Sequence, residues 1–469
     1  MIVQTNDTIT ALASAAGAGA VAIIRVSGPE AFKIVSSVFF PKGKKNILNQ
    51  QSHTIHLGHI KDDAKVLDEV LVSLFKNPKS YTGEDVIEIN CHGSAYIQQE
   101  ILQLLLRKGC RMAEAGEFTL RAFLNGKMDL SQAEAVSDLI FSDSEAAHKI
   151  AIQQMRGGFS NEIKLLRDQL LNFASLLELE LDFSEEDVEF ADRTQFIALL
   201  SKIELILKRL IDSFALGNVI KHGIPVSIVG APNVGKSTLL NALLNEERAI
   251  VSDIAGTTRD TIEDEISIGR MRFRFIDTAG IRETQDKVES IGIEKTFEKI
   301  NQAQVVLLLL NAEEVLNNKE GVINEVNQIK NQNPLKPLII IINKVDKVSE
   351  TQKNEINVSL SNPNTSTPIF ISAKQKSGIE QLTSKLLSFV NDGSLRNDES
   401  IVTNSRHYDS LIKSLEEIQN VQAGMQSGLS GDLLAIDLRE ALFHLGSITG
   451  EVTNDELLGN IFSSFCIGK

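Results

Sequence analysis

The run Gly230-Ala-Pro-Asn-Val-Gly235-Lys236-Ser237 has the spacing G-x-x-x-x-G-K-S, follows a β-branched stretch and opens a helical pattern. In that context glycines let backbone N–H groups close around phosphate oxygens, and the helix N-terminus adds partial positive charge. Lys236 is placed to reach the β and γ phosphates and Ser237 to ligate Mg2+. With Asn233, Val234, Gly235 and Thr238 they make a phosphate-contacting set. Asp277-Thr278-Ala279-Gly280 ends a later strand-like run; its aspartate suits Mg2+, directly or through water, and its glycine N–H suits a γ-phosphate. Asn343-Lys344-Val345-Asp346 follows an isoleucine-rich run. A carboxylate at Asp346 can accept from the N1–H and the exocyclic amine of guanine, a donor pair that adenine lacks. Ser372-Ala373-Lys374 would back the base through its main chain, and Thr258 in Gly256-Thr257-Thr258-Arg259-Asp260 can complete the Mg2+ shell. These motifs, in this order, predict a GTPase.

Two positions bear on how hydrolysis would be catalysed. Ile281 stands just after the Asp277–Gly280 motif and cannot orient water. Asn233 either turns the loop or offers its oxygen to a monovalent cation, which would neutralise charge developing on the phosphates.

The elements that carry these motifs alternate. Strand-like runs at Pro225–Gly230, Phe273–Asp277, Val305–Asn311, Pro337–Asn343 and Pro368–Ser372, mostly separated by helical patterns, predict a parallel sheet covered on both faces. Residues 1–120 mix predicted strands (Val21–Val26, Leu67–Phe75, Val86–Asn90) with a helix over Gln98–Lys108, an α+β pattern. Proline-free helical periodicity fills Ala133–Ile152, Ile163–Leu181 and Phe196–Leu216, and returns over 404–465. The last segment is too short for a core of its own, so it is expected to pack on the earlier helices, with the α/β module inserted between them. The acidic stretch Glu178–Asp192 reads as a solvated junction between helices.

The formal net charge is −15, distributed as +2 over residues 1–127, −9 over 128–220 and −8 over 221–469. Bulk attraction to nucleic acid is thereby excluded; any such contact needs a local patch or a second protein. The three cysteines, Cys91, Cys110 and Cys466, form no C-x-x-C pair, which argues against a disulfide scaffold or a cysteine-rich zinc site. Cys91 and Cys110 read as packed thiols. No apolar run reaches about 18 residues, and the first 24 residues hold no Lys or Arg, so a membrane span, secretory signal or transit peptide is not expected and a cytoplasmic location is.

The chain ends in Cys466-Ile-Gly-Lys469. With the GTTRD, DTAGIRE and NKVD motifs, GAGAVAIIRVSG near the N-terminus, YTGEDVIE at 81–88 and GEFTLRAFLNGKMDLSQAEA at 116–135, the whole sequence resembles the MnmE (TrmE) family of tRNA modification GTPases. The resemblance implies a multidomain α/β plus α protein. An α+β folate-binding-like and dimerisation domain would span 1–117 and a helical domain 118–217 with 390–469. An inserted P-loop (Ras-like), doubly wound GTPase domain would span 218–389. It implies a 5-formyl- or methylenetetrahydrofolate site at Arg25, Glu88 and Lys127, reached by Lys469 of a tail. It makes Cys466 a functional cysteine, a nucleophile or one-carbon carrier, and Glu289 the residue that positions the attacking water. Glu289, Cys466 and Lys236 are thus the expected catalytic residues.

The same resemblance assigns K+ to Asn233, Ser252, Ile254 and Thr257, bound as two GTPase domains meet, and Mg2+ to Ser237 and Thr258. Asp253, Ala255 and Gly256 complete the expected nucleotide loop, and Arg259 and Arg282 match family arginines linked to activity without being arginine fingers. The implied reaction is the tetrahydrofolate-dependent installation of a carboxymethylaminomethyl-type group at C5 of a tRNA wobble uridine. A homodimer would work with an FAD- and NADH-using partner subunit as a heterotetramer, away from membranes. A ribosome-assembly switch GTPase would account for the nucleotide motifs equally well, but not for the folate-like domain or the tail. A one-carbon transferase with an idle GTPase is a second alternative.

Overall fold

The computed structural model describes residues 6–43, 46–182, 193–246, 264–269, 271–276, 300, 302–332, 334, 336–360, 367–388 and 400–469. The chain begins with β1 (Ile9–Leu12), β2 (Gly19–Ser27), α1 (Ala31–Val38), β3 (Phe39–Pro41), β4 (Thr54–Asp62), β5 (Lys65–Phe75), β6 (Val86–Gly93), α2 (Ala95–Arg107), β7 (Arg111–Met112) and α3 (Glu117–Leu124). Helices α4 (Leu130–Ile140), α5 (Glu145–Met155), α6 (Gly158–Asp182) and α7 (Arg193–His222) follow. Then come β8 (Ile224–Val229), α8 (Lys236–Glu246), β9 (Asp264–Ile268), β10 (Met271–Phe275), β11 (Val305–Asn311), α9 (Ala312–Asn317), α10 (Lys319–Gln332), β12 (Leu338–Asn343), α11 (Glu350–Leu360), β13 (Ile369–Phe370) and α12 (Ile379–Ser388). Helices α13 (Ser405–Gln426), α14 (Gly431–Thr449) and α15 (Asp455–Ser463) close the chain. Two compact units result, one of residues 1–141, 151–209 and 409–469, the other of 142–150 and 210–408.

In the first unit a seven-stranded sheet runs in the order β3-β4-β5-β6-β2-β1-β7. Alternation along β2 sends Ala22, Ile24 and Val26 into the core beneath α1 and α2, where they meet Ile87, Ile89, Ile101 and Leu104. The intervening Ile23, Arg25 and Ser27 therefore face the other side of the sheet. There α3 covers the β1 end through Phe118, packed with Ile9, Ala11 and Ala113. A capping box at Asp129 and Gln132 starts α4. Phe462 and Phe465, at the end of α15, pack with Leu120, Leu130 and Ala133 and so bring the chain's last residues against α3 and α4.

Helix α14 lies along α6, burying Leu438, Ala441 and Leu445 on one and Ile163, Leu166 and Leu170 on the other. Arg439 pairs with Glu178 at 3.0 Å and Gln419 donates to Glu204 at 3.1 Å. Both contacts are exposed and contribute little; apolar burial holds the bundle.

In the second unit a six-stranded sheet has the order β13-β12-β11-β8-β10-β9. Every residue of β11 is buried, the pattern of a parallel strand covered on both faces.

Three features differ from the sequence expectation. The edge strand β9 runs antiparallel to β10, so the sheet is not wholly parallel; the polar segment Asp-Glu-Ile-Ser-Ile of β9 carries only a weak strand signal. The helix expected over Ala133–Ile152 is two helices. Ser144 accepts a hydrogen bond from Ala147 N–H at 3.2 Å and Asp143 pairs with Arg272 at 2.9 Å, so a cap and an ion pair replace a helical turn. The strand expected over Phe273–Asp277 is β10 at Met271–Phe275.

Candidate functional site

Among the described residues, the second unit gathers the Gly230–Ser237, Asn343–Asp346 and Ser372–Lys374 motifs at the C-terminal ends of β8, β12 and β13. The loop after β8 leads into α8 at Lys236, whose ammonium donates to Gly230 O at 2.6 Å and to Ala231 O at 3.3 Å. Ser237 and Thr238 stand exposed in the first turn of α8, while Val234 is buried. Asn233 and Lys344 both have φ of 62°, the left-handed region that asparagine tolerates. Lys344 Nζ donates to Asn233 O at 2.7 Å.

Asn343 joins the three loops. Its Nδ2 donates to Val234 O at 2.8 Å, and its Oδ1 accepts from Ala373 N–H at 3.0 Å. The approach is so close that a Cβ on Gly235 would lie 2.4 Å from that Nδ2, which only glycine avoids. Ser372 donates to Asp346 Oδ1 at 2.6 Å. That hydrogen bond, helped by Lys374 and Lys347, holds the Asp346 carboxyl below the usual aspartate value, so it is a ready acceptor. Phosphate loop, base loop and the Ser372–Lys374 segment thus form one hydrogen-bonded frame.

Ser252, Asp253, Ile254, Ala255, Gly256, Thr257, Thr258, Asp277, Thr278, Ala279, Gly280 and Glu289 lie outside the described residues, as do Arg259 and Arg282. Of the expected metal ligands, Ser237 and Asn233 are described. The exposed hydroxyl of Ser237 is a hard oxygen donor of the kind that fits Mg2+, and the exposed amide of Asn233 is an oxygen ligand fit for a monovalent cation. Among the described residues no group of three or more His, Cys, Asp or Glu could hold a metal ion.

The second cluster is in the first unit. Register places Arg25 of β2 directly opposite Glu88 of β6. Arg25 Nε and Nη2 both lie 2.9 Å from Glu88 Oε1. The guanidinium sits 5.3 Å from the Tyr81 ring centroid and 5.5 Å from that of Phe118, within cation–π range. Its Nη1 donates to Gly468 O at 3.2 Å, which brings the tail to the sheet. The tail is also held by Gly116 N–H on Cys466 O at 3.3 Å and Phe118 N–H on Lys469 O at 3.2 Å. Cys466 is exposed and Lys469 is half-buried. A carboxylate and a guanidinium beside the Tyr81 ring fit a planar donor-bearing heterocycle with an anionic extension, as a reduced folate has.

The Lys127 ammonium donates to Pro78 O at 3.0 Å. Cys91 and Cys110 are buried, and burial pushes their thiols up to about 11 and about 12. They are packed thiols, not nucleophiles.

Sequence reasoning missed a buried charge network that joins α3 to β2 through Glu84. Arg121 of α3 is fully buried. It contacts Asp7 O at 2.9 Å, Glu117 Oε1 at 3.0 Å and both Glu84 oxygens at 3.3 Å. Arg111 pairs with Asp7 and Glu117, each at 2.6 Å, and Ser27 donates to Glu84 at 2.7 Å. Burial pushes Asp7 and Glu117 up, but hydrogen bonds from the two arginines outweigh it and hold both carboxyls below their ordinary values. The one sequence signal was the i, i+4 pair Glu117 and Arg121 inside a mostly apolar helix.

Comparison with known proteins supplies a wider context. The family described as "MnmE helical domain" matches residues 130–466, and the family described as "GTP-binding protein TrmE N-terminus" matches residues 8–127. A protein of Flavobacterium johnsoniae called tRNA modification GTPase MnmE is 68% identical over 464 residues, 99% of each chain. Its counterpart in Christiangramia forsetii is 63% identical over 473 residues, covering 99% of this chain and 100% of that one. That of Bacteroides fragilis is 53% identical over 469 residues, with the same coverage. No described helix is long and apolar enough to cross a membrane.

Proposed function

The chain belongs to the MnmE family of tRNA modification GTPases, and from that membership we propose that GTP hydrolysis in its second unit drives modification of a tRNA wobble uridine at C5. The observation that carries the GTPase half is Asn343, which ties the phosphate loop to the base-reading loop. In this reading Asp346 accepts from guanine, Ala373 and Lys374 back the base, and Lys236 and the loop N–H groups bind the β and γ phosphates. Mg2+ on Ser237 and Thr258, and K+ on Asn233, Ser252, Ile254 and Thr257, would supply charge neutralisation at the phosphates. Glu289 positions water, a task Ile281 cannot perform. Hydrolysis drives opening and closing and not the carbon chemistry.

The folate half rests on Arg25, Glu88 and the docked tail. Glu88 pairs with the ring's amine and N–H donors, Arg25 with Lys127 and Lys469 offers positive charge to a glutamyl chain, and Cys466 serves the one-carbon step. The domains are read as 1–117, 118–217 with 390–469, and an inserted 218–389.

A homodimer is supported by the sheet face that carries Glu88. Ile55, Leu57 and Leu71 are exposed there, with Leu57 paired to Leu71 in register, an apolar surface that asks for a cover. The charge of −9 over residues 128–220 favours a partner subunit, using FAD and NADH, as the bearer of much of the tRNA contact. A cytoplasmic site of action follows from the tRNA substrate.

Titration of the purified chain with 5-formyltetrahydrofolate tests this reading against a ribosome-assembly GTPase. Binding that weakens in Glu88→Gln is expected. A wild-type chain that binds GTP but no reduced folate would contradict the proposal.

A further inference from the structure

A cavity of about 370 Å3 adjoins the phosphate loop in the second unit, within the size range of small-molecule sites. Val234, Val315 and Val322 line it and are buried, which gives it an apolar floor. Asn311, the last residue of β11, also lines it and is 7% exposed. Its Oδ1 accepts from Glu313 N–H at 3.3 Å. Its Nδ2 donates to no described group, so a buried amide donor is left to the cavity. Glu314 of α9 and Glu325 of α10 line the same space. Neighbouring Glu313 pairs with Lys347 at 3.2 Å, whereas among the described residues neither Glu314 nor Glu325 has a cationic partner. Of the residues expected to contact nucleotide, Val234 alone among the described ones borders this cavity.

We propose that the cavity is an effector site for a small organic cation, an alkyl ammonium or guanidinium whose far end carries a carbonyl or hydroxyl oxygen. The cationic end lies between Glu314 and Glu325, the stem rests on the valines, and the oxygen accepts from Asn311 Nδ2. An anion would meet two carboxylates, and a wholly apolar ligand would bury the amide donor without a partner. The cavity also shares a wall with the nucleotide loop. Ala231 borders it, and Ala231 O accepts from Lys236 Nζ at 3.3 Å; Val234 O accepts from Asn343 Nδ2 at 2.8 Å. A ligand that orders this wall lowers the cost of ordering the loop around a nucleotide. Nucleotide and cation then strengthen each other's binding by the same factor.

Saturation-transfer NMR on the full-length protein, with Mg2+ and saturating GDP, tests the site while the nucleotide pocket is filled. The probe is γ-aminobutyramide; butyramide lacks the cation and butylamine lacks the acceptor. A probe Kd of about 1 mM is expected, as its few non-hydrogen atoms allow, and both analogues should bind more weakly. The double variant Glu314→Gln, Glu325→Gln is expected to weaken the probe about tenfold, with GDP affinity and thermal unfolding unchanged when no probe is present. Asn311→Ser is expected to weaken the probe about fivefold and to leave butylamine unaffected. Equal probe binding by wild type and the double variant, or butyramide binding as tightly as the probe, overturns the site. Titration of GDP with and without saturating probe tests the effector role: affinity is expected to rise about threefold. An unchanged or lowered GDP affinity overturns that role.

Discussion

A Cβ on Gly468 would stand 2.2 Å from the carbonyl oxygen of Leu12. The tail can therefore lie against β1 only with glycine at this position. Gly468→Ala should undock the tail without unfolding the first unit, because Phe462 and Phe465 remain in their own cluster. Strain at a positive φ costs about 1–3 kcal/mol, enough to shift docking about tenfold or more. Hydrogen exchange at Phe118 N–H and Gly116 N–H reads the change. Unchanged protection would show that the tail is not held by these contacts.

Asn343→Ala removes two buried hydrogen bonds at once and leaves Val234 O and Ala373 N–H without their partner. The loss is about 3 kcal/mol, so guanine nucleotide affinity should fall about a hundredfold. Fluorescent GDP titration checks it, and a fall below threefold would remove Asn343 as the link between the loops.

Asp346→Asn replaces an acceptor by a mixed donor and acceptor. Preference should pass from guanine to xanthine nucleotides, whose ring carries an oxygen where guanine has its amine. Competition between GTP and XTP measures this; retained GTP selectivity would refute the assignment.

Both nucleotide predictions concern residues legible in the sequence, because the chemistry of each loop is local. A phosphate loop is written in eight consecutive residues, Gly230 to Ser237, and β11 announces itself as an unbroken apolar run. The Arg25 cluster is different. Its partners lie 63 residues away at Glu88 and 443 away at Gly468, so no spacing rule joins them and only the family resemblance did. Arg121 was hard to read for another reason. A charged residue is ordinarily a surface residue, and its burial depends on acids that three separate segments bring together. The break between α4 and α5 was missed because the signal is one short cap at Ser144.

Glu117→Gln tests that buried network. Breaking a buried pair by removing one partner costs about 3–5 kcal/mol. The Glu117 carboxyl is held below its ordinary value, so its contribution is present above the unfolded value of about 4.3 and is lost as pH falls through the folded value. The stability gap between wild type and Glu117→Gln should be full at neutral pH and close progressively below about pH 4. Denaturant unfolding of both proteins across that range checks it. A gap that stays constant or widens in acid would contradict the ion-pair account.

In the function proposed above, this chain works in tRNA modification with both its nucleotide loop and its tail. Mass spectrometry of tRNA nucleosides from cells lacking the chain tests it most directly. Loss of a C5-aminomethyl-type wobble uridine is expected, restored by the wild-type chain and by neither Lys236→Ala nor Cys466→Ser. An unchanged nucleoside profile in cells with no second copy, or full restoration by both variants, would contradict it.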